Sequence, residues 1–428
     1  MKQAALLAFV GLTACTASPE TITKYVETEP KQGTPQNGEE PGSGTNPGGG
    51  GGNGSAPGES PVATGPTYGV LGANPQHRAS DKAAGIGWAM IEMGWAEYEP
   101  TRNQFVDGAI PAQTIRDFKA AGFRTEVSFG FHNATPAWAA AIEPWKDQNG
   151  KTYPETPNWF NPNVQAAVAN TIKHVIAVIG VQNIDAIRIG GLADAGEINY
   201  PMSAPYKYLG YSASALQGSA LIPANPVPQC KPPTCSKADA ATFYRWYVSA
   251  LTKFGDFQVK TLRDAGYKND VQWLLAGGGV DAELKGLLLN NALYPVAQVP
   301  DDYGTASGGQ DWPVLLSLIT EKGPRTVISE TGINDSTTDT ANDAGNDMSQ
   351  WSAPKWVAFN ARANGFTRLS CENVGQTEAG FDNKVRMDLA FRKMKELGYE
   401  KLMWAWDDRL YTPGNASISD YAAAIGKK

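Results

Sequence analysis

The sequence predicts a parallel α/β barrel of the (β/α)8 TIM type. Eight short apolar runs alternate with amphipathic segments, and most of the runs end in Gly, Glu or Asn. Strands that are apolar throughout and alternate with helices indicate a parallel sheet covered by helices. An open doubly wound sheet usually has fewer strands and a phosphate-binding glycine motif, and neither GxGxxG nor GxxxxGK[ST] follows any run. Eight strand–helix units in one domain therefore favour a closed barrel.

The chain begins with an export signal. MKQAALLAFVGLTAC has an early lysine and an apolar stretch that is too short to span a bilayer. The closing LTAC resembles a bacterial lipobox, whose cysteine, here Cys15, is lipidated; the alternative is an ordinary secretory signal with a chance cysteine. We therefore predict a lipoprotein signal peptide over 1–15 and a lipid-anchored location in the bacterial cell envelope, facing the periplasm or the cell surface.

The rest of the chain is predicted to form a tether and one folded domain. Residues 16–66 are rich in Gly, Pro and Ser with few large apolar side chains, which is typical of a flexible linker. Residues 67–428 have the length of an α/β barrel with insertions. The net charge of −7 and the lack of a basic run argue against a nucleic-acid partner. We expect a monomer whose only membrane contact is through Cys15.

The predicted strands and helices follow one another along the chain. The predicted strands lie at 68–74, 88–95, 124–131, 186–191, 271–278, 325–330, 366–372 and 401–406. Amphipathic segments at 110–122, 163–180, 238–266 and 383–398 have apolar residues three and four apart, which indicates helices. An additional weak strand at VAQVPDDY (296–303) is an open alternative that would shift the strand count.

The cysteines and histidines predict no metal site or cofactor. Cys230 and Cys235 flank KPPT in a proline-rich loop, where a local disulfide suits an exported protein, although two free thiols are the alternative. Cys371 lies in an apolar run and is expected to be a buried thiol. Three scattered histidines and two close cysteines have no recognisable metal-ligand spacing.

Carboxylates, amides and aromatic rings converge where the strands end. In a barrel of this type the active site lies at the C-terminal ends of the strands. Aromatic rings stack on sugars, polar side chains bind hydroxyls, and two carboxylates can cleave a glycosidic bond, so this set predicts a carbohydrate substrate. The predicted substrate-binding residues are Glu92, Trp95, His132, Asn133, Asp194, Glu330, Asn373, Trp406 and Arg409.

Two glutamates are the predicted catalytic pair. Glycosidic cleavage needs one protonated carboxyl and one ionised carboxylate on opposite sides of the sugar. Glu197 follows the fourth strand and Glu372 ends the seventh, so the two face each other across the barrel mouth. Glu330 would take the second role if ISETG ended the seventh strand. A single glutamate at a strand end is more often a salt-bridge or capping residue, and aromatic rings there are often only packing.

The same segments resemble β-amylase. GLADAGEINYP (191–201) is similar to that family's G-x-x-x-A-G-E-L-R-Y-P, and SCENVG (370–375) to its C-E-N-A-L-P. MIEMGW (90–95), SFGFHN (128–133), FYRWYVSAL (243–251) and MWAWDDRL (403–410) add weaker matches. The resemblance implies an inverting barrel hydrolase without a cofactor, with Glu197 as general acid and Glu372 as general base.

The substrate subsites diverge from that family. AGGGVDAE (276–283) stands where β-amylases have a Lys and a His-Trp-Trp that hold α-glucan, and FHNATPAWAAAI (131–142) is closer to the P-x-W of clan A β-galactosidases. A retaining β-galactosidase-like enzyme is therefore an alternative within the hydrolases. A barrel that only binds glycan as a surface lipoprotein is an alternative from another class.

Overall fold

The computed structural model describes most of the predicted barrel domain. The described residues are 65–132, 134–192, 196–201, 207–232, 235–276, 307–335, 338, 341–374 and 383–426. All of them belong to the compact unit formed by residues 55–428. The predicted signal peptide with Cys15 and nearly all of the predicted linker lie outside these ranges.

Eight parallel strands close into a barrel, which confirms the predicted fold. The strands are β1 Thr67–Val70, β2 Trp88–Glu92, β3 Arg124–Ser128, β4 Ala186–Ile189, β5 Asp270–Leu275, β6 Thr326–Glu330, β7 Arg368–Glu372 and β8 Lys401–Trp404. Each strand pairs with its neighbours in chain order, and β8 closes the ring on β1. The segment 296–303 lies outside the described residues. Because the ring closes with eight strands, Glu330 ends the sixth barrel strand and Glu372 the seventh.

A helix follows each strand of the barrel. The helices are α1 Arg78–Ala83, α2 Ala112–Ala120, α3 Pro162–Ile179, α4 Lys237–Asp264, α5 Trp312–Leu318, α6 Ala353–Ala363, α7 Lys384–Leu397 and α8 Ile418–Gly426. Shorter helical segments cover Trp95–Tyr98, Asp107–Ala109, Ala137–Ala140, Val181–Asn183, Ala213–Gln217, Met348–Gln350 and Asp407–Tyr411, and a small hairpin joins Trp145–Lys146 to Thr152–Tyr153. The four helices predicted from periodicity are confirmed.

The helix ends follow from local sequence. Asn161 caps α3 by accepting a hydrogen bond from the backbone N–H of Asn163 at 2.8 Å, and a proline occupies the first helical position. Ser236 caps α4 through the N–H of Asp239 at 3.1 Å. Gly398 ends α7 in the left-handed conformation, with φ of 68°, which favours glycine.

Successive strand residues face two different environments. Outward-facing residues such as Ile187, Trp273 and Leu402 pack with the helices in the main apolar core. Inward-facing residues form a smaller apolar cluster that includes Trp88 and Met403. The inward face also carries buried polar and charged side chains, including Glu126, Gln272, Ser370, Glu372 and Lys401, together with the largely buried side chain of Arg188. The barrel interior is therefore unusually polar for a packed core.

The three cysteines of the described residues are placed as predicted. Cys230 and Cys235 form a disulfide, with Cα atoms 4.9 Å apart. Cys371 is a fully buried free thiol on the outward face of β7. Burial raises the pKa of this thiol well above its usual value. Within the described residues, no helix has both the length and the apolar character needed to cross a membrane.

Candidate active site

Glu372 stands at the mouth of the barrel as the last residue of β7. Its neighbour in the register is the inward-facing Met403 of β8, so the carboxylate points into the barrel. There it forms an ion pair with the guanidinium of Arg188, which comes from β4. Glu372 is only 5% exposed, so its charge is held next to a cation in a mostly water-excluded position. An adjacent opposite charge favours the ionised form of a carboxyl group.

Arg188 joins two carboxylates inside the barrel. Its Nε lies 2.9 Å from Oε1 of Glu126 on β3, while the other end of the guanidinium reaches Glu372. Burial lowers the pKa of Arg188, and nearby carboxylates, Glu126 foremost, oppose that shift. A guanidinium remains charged in proteins at neutral pH, so Arg188 acts as a fixed cation.

Glu197 lies beyond β4 on a loop that is tied to the neighbouring strand. The carboxylate accepts hydrogen bonds from the hydroxyl of Thr331, just after β6, and from Nδ2 of Asn199 at 3.2 Å. The N–H of Ile198 donates to the carbonyl of Leu274 at 2.7 Å, which fixes the loop on β5. Glu197 also acts electrostatically on Arg188. The two predicted catalytic carboxylates therefore lie at the same C-terminal face of the barrel.

The paired glycines before this loop are required by close backbone contacts. A Cβ atom on Gly190 would lie 1.8 Å from the carbonyl oxygen of Gly196, and one on Gly191 would lie 2.1 Å from that of Asn199. Only glycine allows the chain to fold back on itself this tightly. The GG pair is thus the local cause of the position of Glu197.

Glu92 and His132 form a second polar pair at the mouth. Glu92 ends β2, and its Oε1 lies 2.9 Å from Nε2 of His132, which follows β3. A Cβ atom on Gly196 would come within 2.8 Å of Nδ1 of His132, so that glycine leaves room for the ring. A small pocket is lined by Ser128, His132, Arg188, Gly196 and Leu274, among others. The structure thus brings both residues near the candidate pair, and sugar binding by them stays a prediction.

Glu330 does not face the mouth. Its register partner is the outward-facing Cys371, and its side chain is fully buried between the sheet and the helices. One carboxyl oxygen accepts the N–H of Gly332 at 2.9 Å. Burial raises the pKa of Glu330 well above its usual value, which favours the neutral form. The burial of Glu330 on the outward face argues against both substrate binding and an alternative base role at this position, and both stay predictions.

Two further predicted ligands belong to the framework. Trp95 is fully buried in the short helix after β2, and its indole N–H donates to Glu99 at 2.8 Å. The ring has no exposed face, which argues against stacking on a sugar, and that role stays a prediction. The amide of Asn373 accepts the N–H of Ala405 at 2.5 Å and donates to its carbonyl at 2.9 Å. Asn373 therefore joins the ends of β7 and β8, and ligand binding by this residue stays a prediction.

The structure describes two of the four remaining predicted ligands, Trp406 and Arg409. Trp406 is partly exposed and packs over the inner apolar cluster, so part of its ring is accessible near the mouth. Arg409 is half-buried in the helical segment after β8. Asn133 and Asp194 lie outside the described residues. For these residues substrate binding stays a prediction.

Sequence reasoning missed several polar residues of the interior. Glu126, Gln272 and Lys401 are fully buried or nearly so and belong to strands read as apolar. The available signal was the period of two, because Glu126 alternates with apolar residues in RTEVS. Among the described residues, no cluster of three metal-ligating side chains occurs.

The fold is similar to those of known glycoside hydrolases. No family model and no curated protein matches the sequence. The structure is similar to the catalytic domain of β-amylase from Paenibacillus polymyxa, with a TM-score of 0.61 and 16% identity over 85% of this chain and 99% of that chain. It is also similar to a β-galactosidase from the psychrophilic Marinomonas ef1, with a TM-score of 0.57 and 10% identity over 84% of this chain and 59% of that one.

A polyextremophilic β-galactosidase from the Antarctic haloarchaeon Halorubrum lacusprofundi is similar too, with a TM-score of 0.55 and 10% identity over 84% of this chain and 57% of that one. The chain thus spans less than two thirds of the length of either galactosidase. At identities this low, the structural similarity shows a shared barrel fold and no more.

Proposed function

We propose that this protein is a glycoside hydrolase in which Glu197 is the general acid and Glu372 the general base. One observation carries the proposal. The carboxylate at the end of β7 pairs with the largely buried Arg188, and the carboxylate of the β4 loop, which accepts the Thr331 hydroxyl from the end of β6, lies at the same C-terminal face of the barrel. This is the face where barrel enzymes carry out their chemistry. The barrel similarity to β-amylase and β-galactosidases supports the assignment.

The environments of the two carboxylates favour different roles. Glu372 is buried against a guanidinium, which favours the ionised form that a base or nucleophile needs. Glu197 is half-buried on a loop, so it can lie beside a leaving group. In the proposed reaction Glu197 gives its proton to the glycosidic oxygen as the bond to the anomeric carbon breaks. Glu372 takes a proton from the water whose oxygen attacks that carbon.

The finer assignment is an inverting, β-amylase-like reaction on α-glucan. The segments around Glu197 and Glu372 support it, whereas the divergent 276–283 segment weakens the choice of α-glucan. If Glu372 attacks the sugar directly, the enzyme retains configuration and the β-galactosidase-like alternative holds.

A substrate screen tests the proposal directly. The 65–428 domain would be incubated with a panel of α-glucans, β-galactosides and other polysaccharides, and proton NMR would identify the first anomer released. An inverted anomer supports the base role of Glu372, and a retained one assigns it as nucleophile. Binding to a glycan without release of any sugar would identify a non-catalytic surface protein instead.

The proposed location is the cell envelope, with lipidated Cys15 as the anchor. The apolar N-terminal run, the LTAC motif and the long Gly-rich linker support it. Stable attachment needs more than one acyl chain, so several chains on Cys15 are expected. Cys15→Ser should release the protein from the membrane fraction, and a variant that still sediments with membranes would contradict the proposal.

A further inference from the structure

A row of alternating charges runs through the barrel interior to Glu372. It begins at Lys401 on β8, whose Nζ lies 2.6 Å from Oε2 of Glu126. Glu126 also pairs with Arg188 at 2.9 Å, and Arg188 pairs with Glu372. The four side chains come from β3, β4, β7 and β8; Glu126, Glu372 and Lys401 are buried, and the side chain of Arg188 is 8% exposed. Two cations and two carboxylates sum to zero, so the row carries no net charge into the core.

The order of the charges determines how strongly Arg188 can stabilise the ionised form of Glu372. A guanidinium shared equally by two buried carboxylates would stabilise each of them only partly. Lys401 changes this balance because it provides Glu126 with its own cation, and Nζ of Lys401 also lies 2.7 Å from Oε1 of Gln272. Although burial opposes it, Lys401 and Arg188 together lower the pKa of Glu126. Glu126 is therefore ionised and anchors one edge of the guanidinium, and the rest of the group can face Glu372.

Stability alone does not explain this arrangement. Buried ion pairs are often no more stabilising than well-packed apolar residues of the same volume, and barrel interiors usually hold branched aliphatic side chains. The barrel interior already has an apolar cluster that includes Trp88, Met90 and Met403. Nζ of Lys401 lies 4.3 Å from the centre of the Trp88 ring. The charged row ends at the mouth, next to the proposed reaction.

We propose that Arg188 is a positioning residue that keeps Glu372 ionised and oriented, and that Lys401 and Glu126 hold its guanidinium in place. This inference rests on the proposed hydrolase function. Arginine suits the task because its planar fork can contact one carboxylate at each edge, whereas lysine offers a single charged centre. The other titratable groups around the Arg188–Glu372 pair include Glu92 with its partner His132, and Glu197.

The test compares Arg188→Met, Arg188→Lys and Glu126→Gln in the full chain carrying Cys15→Ser. Glutamate labelled with ¹³C at the side-chain carboxyl reports the titration of Glu372, and Glu372→Gln identifies its signal. In Arg188→Met the titration midpoint should rise by roughly 1–3 pH units, because the neighbouring cation is gone. Glu126→Gln removes the carboxylate that holds one edge of the guanidinium, so kcat should fall in this variant as well, and an unchanged kcat would contradict the anchoring role of Glu126.

Kinetics provide the second readout. Arg188→Met should lower kcat by about 10²-fold with a much smaller change in KM, and the acid limb of the pH profile should move upward with the midpoint. Arg188→Lys keeps the charge, so its midpoint should move less while kcat still falls. If Arg188→Met does not fold, Arg188→Lys carries both readouts.

An unchanged midpoint in Arg188→Met, or an unchanged kcat in a folded Arg188→Lys, would overturn the inference. If the wild-type chain hydrolyses no glycan, the proposed function fails, and the titration still decides whether Arg188 keeps Glu372 ionised.

Discussion

Glu330 and Glu372 end neighbouring strands of one barrel and have opposite environments. Glu372 points into the barrel, pairs with Arg188 and lies at the mouth. Glu330 points outward beside Cys371, and no solvent reaches it. Because strand side chains alternate between faces, a glutamate on one face meets a cation and one on the other face meets an apolar core. The position of a glutamate at a strand end therefore says little about its role until the face is known.

The largest expected contrast is between Glu372→Gln and Glu330→Gln. Glu372→Gln keeps the shape of the side chain and removes the base, so kcat/KM should fall by roughly 10²–10⁴-fold or more. Glu330→Gln replaces a buried neutral carboxyl group with a neutral amide and should leave kcat/KM close to the wild-type value. Both are measured on the substrate found in the screen. A larger loss in Glu330→Gln would move the base to the end of β6.

The role of Glu197 as general acid is tested by varying the leaving group of the substrate. Glu197→Gln should lower kcat/KM by roughly 10²–10⁴-fold on the natural glycoside. The loss should be much smaller on a glycoside with an acidic aryl leaving group, because that group departs without a proton. Glu372→Gln is the matched control and should be impaired on both substrates. Equal losses in Glu197→Gln on the two substrates would show that Glu197 is not the acid.

The buried neutral state of Glu330 has a stability consequence. Its native pKa is raised, so below the unfolded pKa, near 4.3, both states are protonated and no free energy is lost. At higher pH the unfolded state ionises first, and wild-type stability should fall by about 1.4 kcal/mol per pH unit until the native pKa is reached. The stability of Glu330→Gln relative to wild type should therefore increase between about pH 4 and pH 7.

Urea unfolding of both proteins at the two pH values measures this difference. Glu155→Gln serves as the control, because Glu155 is exposed and its substitution should show no comparable trend. A difference between Glu330→Gln and wild type that does not change with pH would mean that Glu330 titrates normally in the native barrel.

The smallest expected effect is at Thr331, the residue after Glu330. Its hydroxyl donates to the carboxylate of Glu197, so the chain turns inward one residue after Glu330. A hydrogen bond to the charged form favours that form, so Thr331→Val should move the basic limb of the kcat/KM profile upward and change the maximum by less than about tenfold. Thr331→Ser keeps the hydroxyl and should behave like wild type. A profile of Thr331→Val that matches wild type would rule out this contact.

Much of the barrel could be predicted from sequence, because its strands are apolar runs separated by helical periodicity. The faces of those strands could not. TVISE and RLSCE both end in glutamate, and since both faces of a barrel strand are buried, the alternation that would reveal the inward side is weak. Trp95 was misplaced because β2 ends at Glu92 and the chain then enters a short buried helix.

The ion pairs of the barrel interior could not be predicted from the sequence for a related reason. Glu126, Arg188 and Lys401 are far apart in the chain, and only the closed ring brings their strands around one interior. The motif around each proposed catalytic glutamate lies within a few consecutive residues, so the proposal for those two positions did not depend on that three-dimensional information.

Because Cys371 is buried, the rate at which its thiol is labelled reports the opening of the barrel. The thiol is fully enclosed between β7 and the helices, and the native fold also disfavours the reactive thiolate. A thiol reagent can modify it only during an opening event that separates a helix from the sheet. At high reagent concentration the labelling rate approaches the rate of opening, and at low concentration it reflects the population of the open form. One native side chain thus gives access to both the kinetics and the equilibrium of barrel opening without an introduced probe.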